Sequence, residues 1–249
     1  MNEICYLNII PKEISDYIIS LTVNKVYNLC RVDKYFNDNC KIIKIIDNFK
    51  CPNLTNIHLK ELKNLVSLIL YNNDIITNEG IKGLINLTSL NLSENNIITD
   101  RGIKELINLS TLNLYNNEII TNEGIKELIN LTSLDLEDND MITNEGLKEL
   151  SKFTNLNLSG NNLITDDKIK NLTNLTSLNL SYNDIITNEG INGLINLTYL
   201  NLRANIMITD EGIKELANLT YLNLNYNAKI TINGCNLLSK HNTKITILK

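Results

Sequence analysis

The sequence predicts an α/β fold of the horseshoe type. It is a solenoid of 22-residue turns with a parallel sheet on the concave side and short helices outside, preceded by a small helical unit. Three observations carry this. The stretch Leu87–Asn108 returns every 22 residues, with copies starting at Leu65, Leu109, Leu131, Phe153, Leu175, Leu197 and Leu219, eight clear copies in all. Within a copy, Leu90 and Leu92 alternate with Ser89 and Asn91, the two-residue period of a short strand. After the strand, Ile103, Leu106 and often Ile107 fall at helical spacing beside a recurring glycine, and all three are expected to face inward.

Bulk properties narrow the function classes. A hydrophobic content of 43% with 20% charged residues is that of a folded chain, too apolar for disorder. A net charge of −5 argues against a nucleic-acid partner, which needs clustered Lys and Arg. The recurrent Lys104, Lys126, Lys148 and Lys214 each stand beside a Glu and read as a solvated helix face. Five cysteines, Cys5, Cys30, Cys40, Cys51 and Cys235, show no metal or disulfide spacing and imply free thiols in a reducing compartment. No apolar run approaches the roughly 20 residues of a membrane span, and the start lacks the pattern of a signal peptide. The expected location is cytoplasmic or nuclear, not secreted. The N-L-T and N-L-S triplets at Asn86, Asn130 and Asn196 match glycosylation acceptors, but they recur because the repeat recurs.

Residues 1–42 do not follow the period. Pro11 stands where a helix can begin. Ile14, Ile18 and Leu21 make one helical stripe, and Val26, Leu29, Val32 and Phe36 a second. Ile10-Pro11, Glu13-Ile14, Ile18, Leu29, Val32, Lys34 and Phe36 resemble an F-box, with Ile10 for the usual leucine and Asp33 where cysteine is common. That resemblance implies a helical domain docking on the Skp adaptor of a cullin-based SCF ubiquitin ligase through Ile10, Pro11, Ile14, Ile18, Leu29, Val32 and Phe36. The same helices also suit a plain cap on the first turn of the array, which solenoids require.

The array domain is expected over 43–249. Residues 43–64 form a worn first copy, with Ile43 and Ile46 in strand positions, Cys51 at the asparagine position and Leu54-Thr55 as the Ile-Thr pair. The clear copies run over 65–240. In them Asn95 and its equivalents satisfy backbone groups of adjacent turns, Ile98 is buried, and Thr99 or Asp100 N-caps the helix. The glycine marks packing too close for a side chain. The copy at Phe153 departs from the pattern, with Lys168 in the glycine's place. Residues 241–249 add a closing strand around Ile245–Ile247. The pattern L-x-x-L-x-L-x-x-N with I-T-D-x-G-I resembles the cysteine-containing class of leucine-rich repeats, with Asn in place of its Cys. In eukaryotes that class is often joined to an F-box.

A partner-binding face follows from positions three, five, seven and eight of each copy. The early and middle copies present Ile69, Tyr71, Asn91, Ser93, Glu94, Asn113, Tyr115, Asp135, Glu137 and Asp138, increasingly acidic. The late copies present Tyr182, Tyr199, Arg203, Tyr221 and Tyr226. Tyr and Arg are typical binding anchors, although exposed Tyr also follows from β propensity. No catalytic motif, phosphate loop, cofactor site or metal site is apparent, and His58 and His241 lack partners suited to chemistry. The expected function is a non-enzymatic substrate-recognition adaptor of an SCF-type ligase, a monomer outside that complex, holding a target protein on the concave face. The alternative is a stand-alone binding scaffold or inhibitor. An exported adhesin like the bacterial internalins is a third class, sharing the 22-residue period.

Overall fold

The computed structural model describes residues 45–47, 54–60, 62–241 and 244–249. Ten short strands form one parallel sheet in chain order: β1 (Ile45–Asp47), β2 (Ser67–Ile69), β3 (Ser89–Asn91), β4 (Thr111–Asn113), β5 (Ser133–Asp135), β6 (Asn155–Asn157), β7 (Ser177–Asn179), β8 (Tyr199–Asn201), β9 (Tyr221–Asn223) and β10 (Thr246–Leu248). The register repeats with the sequence, Leu68 beside Leu90 and Leu90 beside Leu112. Ile46 pairs with Leu68, so the worn first copy keeps the common frame. At the far end Leu222 pairs with Ile247, a longer step than the others. The closing strand forms as expected.

Six apolar positions per copy make a core running the length of the solenoid. Leu87, Leu90, Leu92, Ile98, Ile103 and Leu106 are all buried, each contributing about 1.5–3 kcal/mol by leaving water. Phe153 takes the first position of its copy and is equally buried. Ile107 departs from its expectation: it is 53% exposed, as are Ile85, Ile129 and Ile195 to similar degrees. The helix has ended before that position, so its facing no longer follows helical spacing.

Two polar ladders bind the copies together. Asn95 donates to the carbonyls of Leu70 and Asn73 at 3.2 and 2.8 Å and accepts from the amides of Ile97 and Ile98. Asn117, Asn139, Asn205 and Asn227 repeat all four bonds. The second ladder runs along the helices, most of them single turns: α1 (Asn56–Lys60), α2 (Asn78–Ile81), α3 (Asp100–Ile103), α4 (Asn122–Ile125), α5 (Asp166–Ile169), α6 (Asn188–Ile191), α7 (Asp210–Ile213) and the longer α8 (Ile232–His241). The first residue of α2 to α7 bonds the equivalent Thr of the next copy, as Asn78 accepts from Thr99 N–H and Asp100 from Thr121 N–H. Thr77, Thr121 and Thr187 cap their helices by accepting from the amide two residues on. Thr99, Thr165 and Thr209 make no such bond. Asp100, offered by the sequence as the other cap, instead holds the next copy.

One helical turn is missing. Residues 144–149 form turns, although the copy carries the usual Thr-Asn-Glu-Gly sequence. The copy that follows differs at the facing position: Lys168 stands where other copies have glycine, and its Nζ donates to the carbonyls of Leu150 and Lys148 at 2.8 and 3.4 Å. Burial pushes the Lys168 ammonium below its ordinary value.

Candidate functional site

The candidate site is the sheet-bearing concave face, and each copy builds it the same way. Leucines on either side of position five point into the core, which leaves positions three and five on the outer side of the strand. At position five Asn91 Oδ1 accepts from Ser93 N–H at 2.8 Å, turning the chain as the strand ends. Asn113, Asp135, Asn157, Asn179, Asn201 and Asn223 do the same. These side chains are therefore part of the scaffold as well as of the face, which the sequence reading of Asn91 and Asn113 as plain surface residues missed. Their recurrence in copy after copy was the available signal. Ser93, read as a face residue, is buried.

Position eight then adopts left-handed backbone throughout: Asn72, Glu94, Asn116, Asp138, Gly160, Tyr182, Ala204 and Tyr226 all have φ between 46° and 63°. Asn, Asp and Gly tolerate this conformation, whereas bulky residues rarely enter it. Tyr182 and Tyr226 stand against that preference. Their side chains are 51% and 80% exposed.

The middle copies gather carboxylates. Asp135 accepts from Asn113 Nδ2 at 3.2 Å, and Glu137 from Asn157 Nδ2 at 3.0 Å. Burial, opposed by the Glu137 amide and reinforced by the Glu137 charge, holds the Asp135 carboxyl above its usual range. Tyr115 sits among Glu94, Asp138, Glu137 and Asp135; its phenol is pushed up first by burial and then by those charges. The Tyr71 phenol is raised by its hydrogen bond to Glu94 and by that residue's charge. The structure thus links Tyr71 to Tyr115 through Glu94, and Tyr115 to Asp135 and Glu137.

The late copies gather the aromatic residues and one cation. Tyr199 and Tyr221, side by side on β8 and β9, stack with centroids 4.8 Å apart and planes 1° from parallel. Burial raises the Tyr199 phenol. Arg203 lies between the other two tyrosines, its Cζ 5.5 Å from the ring centre of Tyr182 and 5.3 Å from that of Tyr226. Ala204 explains how they fit. Tyr182 and Tyr226 belong to copies on either side of it, and the residue at the intervening position eight is a small alanine in place of a third large side chain. All five late residues singled out by sequence therefore form two adjoining contacts: a stack and a clamp.

The F-box-like residues Ile10, Pro11, Ile14, Ile18, Leu29, Val32 and Phe36 lie outside the described residues, as does Cys51. His58 Nδ1 accepts from the Thr55 amide at 3.1 Å, a bond within one turn. Cys235 is a buried free thiol whose pKa burial raises. Lys126, Lys170 and Lys214 pair with acids three residues back on their own helices, consistent with a solvated face. Among the described residues, no group of three or more His, Cys, Asp or Glu is placed to hold a metal ion. None of their helices is long and apolar enough to cross a membrane.

Comparison with known proteins agrees with this construction. A family model described as Leucine Rich repeat matches residues 83–107, 105–129, 127–151, 171–194 and 193–217. No curated protein sequence matches the chain. Among solved structures, an internalin (inlF) from Listeria monocytogenes is 22% identical with a TM-score of 0.59, over 92% of this chain and 77% of that one. An internalin C2 from the same organism is 30% identical with a TM-score of 0.52, over 70% of this chain and 74% of that one. A leucine-rich-repeat protein of Leptospira interrogans is 34% identical with a TM-score of 0.57, over 76% of this chain and 50% of that one. The repeats, their parallel sheet and these likenesses together place the chain in the leucine-rich-repeat family.

Proposed function

We propose that this protein binds a target protein on its concave face and presents it, through residues 1–42, to the Skp subunit of a cullin-based ubiquitin ligase. The leucine-rich-repeat array is a protein-binding scaffold. The observation that carries the location of binding is the departure of the concave residues from what the backbone requires. Asp135 breaks a run of asparagines at position five, and Tyr182 and Tyr226 occupy left-handed positions that favour Asn or Gly. The ligase link is supported by the Ile10-Pro11-x-Glu13-Ile14 and Val32-x-Lys34-x-Phe36 pattern. A cytoplasmic or nuclear location goes with it.

The test is a pull-down with a eukaryotic Skp adaptor, using wild type and an Ile14→Asp, Phe36→Ala variant with an unchanged melting profile. Binding by wild type and its loss in the variant are expected. A folded wild type that leaves the adaptor behind sinks the ligase reading. The second reading, a stand-alone binder whose N-terminal residues only cap the array, then takes its place. It is supported by the general need of a solenoid for a cap on its first turn.

A further inference from the structure

Arg203 is the one basic residue among positions three, five, seven and eight of the eight clear copies, and it stands apart from the carboxylates on the same face. Among the described residues no ion pair includes it. Asp135 lies on β5 and Arg203 just after β8, three strands away along the sheet. At about 4.8 Å per strand the separation is about 14 Å, beyond the roughly 8 Å over which exposed charges act at physiological salt. The acidic copies therefore leave the guanidinium charge uncompensated.

What surrounds it holds it in place. Tyr182 and Tyr226 flank the guanidinium from two sides at 5.5 and 5.3 Å. Strand propensity does not explain these two tyrosines, because both follow their strands in left-handed backbone, at φ 55° and 60°. A cation–π contact uses the charge and not the N–H donors, so the guanidinium keeps a planar N–H fork that matches the two oxygens of a carboxylate. The stacked pair Tyr199 and Tyr221 stands on the strands just before the clamp and offers a flat apolar surface with polar tips.

We propose that the Arg203 clamp is the receptor for an acidic side chain of a polypeptide partner, whose neighbouring residues pack on Tyr199 and Tyr221. This rests on the reading that the concave face binds protein. Charge fixes the direction in which the partner lies. An acidic segment is repelled by Glu94, Asp135, Glu137 and Asp138 and attracted only at the Arg203 end, so its acidic part sits over the late copies.

Random linear peptides displayed on phage would be selected against the full chain, and each binder then tested on Ser177→Trp, a bulky block at position three of its copy, on β7. Peptides lost on Ser177→Trp are the concave-face binders. They are expected to share an Asp or Glu, to weaken about tenfold or more on Arg203→Gln, and to exchange the acid for Lys or Arg when reselected on Arg203→Glu. Melting curves of the variants establish that they fold. Concave binders that lack a shared acid, carry a shared basic residue, or ignore Arg203→Gln overturn the clamp assignment while leaving concave binding intact. If no selected peptide responds to Ser177→Trp, nothing binds over the late copies and the clamp assignment fails, whether or not peptides bind the acidic copies.

Discussion

Gly124 lies where a side chain would strike Asp100. A Cβ on that glycine would stand 2.5 Å from Asp100 Oδ1, the atom that accepts from Thr121 N–H at 2.8 Å. The other oxygen of Asp100 accepts from the Thr121 hydroxyl at 2.7 Å. The recurring glycine is thus the space in which one copy's carboxylate or amide grips the next.

Replacing that glycine should reverse the usual sign of a helix substitution. Alanine is favoured over glycine in a helix by about 1 kcal/mol. Gly124→Ala is nevertheless expected to destabilise by about 1–3 kcal/mol, because Asp100 must move off Thr121. Gly193→Ala, where the nearest atom is the Lys170 carbonyl oxygen 4.0 Å away, should be neutral or slightly stabilising. Urea unfolding of both variants checks the contrast.

Two asparagines of adjoining copies should differ widely in worth. Asn117 is fully buried and makes four backbone bonds, so Asn117→Ala should remove about 3–4 kcal/mol by stranding buried groups. Asn108 donates once, to the exposed Ile85 carbonyl at 2.8 Å. Water replaces that bond, and Asn108→Ala should change stability by less than about 1 kcal/mol. Denaturant midpoints with equal slopes would establish the difference.

Lys168→Gly should restore the helical turn that its neighbour lacks. With the ammonium gone from the Leu150 carbonyl, the Lys148 amide is expected to leave Glu145 O, its partner at 3.2 Å, for Asn144 O. Hydrogen exchange of Lys148 N–H should slow relative to wild type. An unchanged rate would mean that the open turn has another cause.

Asp135→Asn should stabilise the array while weakening any basic partner. Asn stands at this position in the other copies from Asn91 to Asn223, and its Oδ1 would still accept from Glu137 N–H. Because the folded state raises the Asp135 pKa, it binds that proton more tightly than the unfolded chain does. Wild-type stability therefore falls as pH rises from the ordinary value of 3.8 through the raised one. The advantage of the variant should be absent below that window and full above it. Unfolding curves from acid to neutral pH would show it.

Tyr226→Asn should leave stability unchanged or raise it by up to about 1 kcal/mol, measured by urea titration. Asparagine relieves a left-handed strain of about 1–2 kcal/mol, and the contact with Arg203 that is lost is worth about 0.5–1 kcal/mol at an exposed site. A clear loss of stability would make the tyrosine a structural residue.

Periodicity alone determined the fold. Leucines at positions one, four and six, the buried isoleucine, the ladder asparagine and the glycine recur with the same spacing, and a structure in which each copy touches mainly its neighbours reproduces that spacing as register. It also marked Tyr182, Tyr199, Arg203, Tyr221 and Tyr226 as one face. Tertiary structure decided what the period does not encode, namely how residues of different copies meet. Lys168 reaches the carbonyls of the copy before it, and Ile107 faces outward because the helix has already ended. Arg203 lies between tyrosines of two other copies. A repeat pattern states where each side chain stands along its own turn; its neighbours across the stack, about 4.8 Å away on either side, determine what it touches.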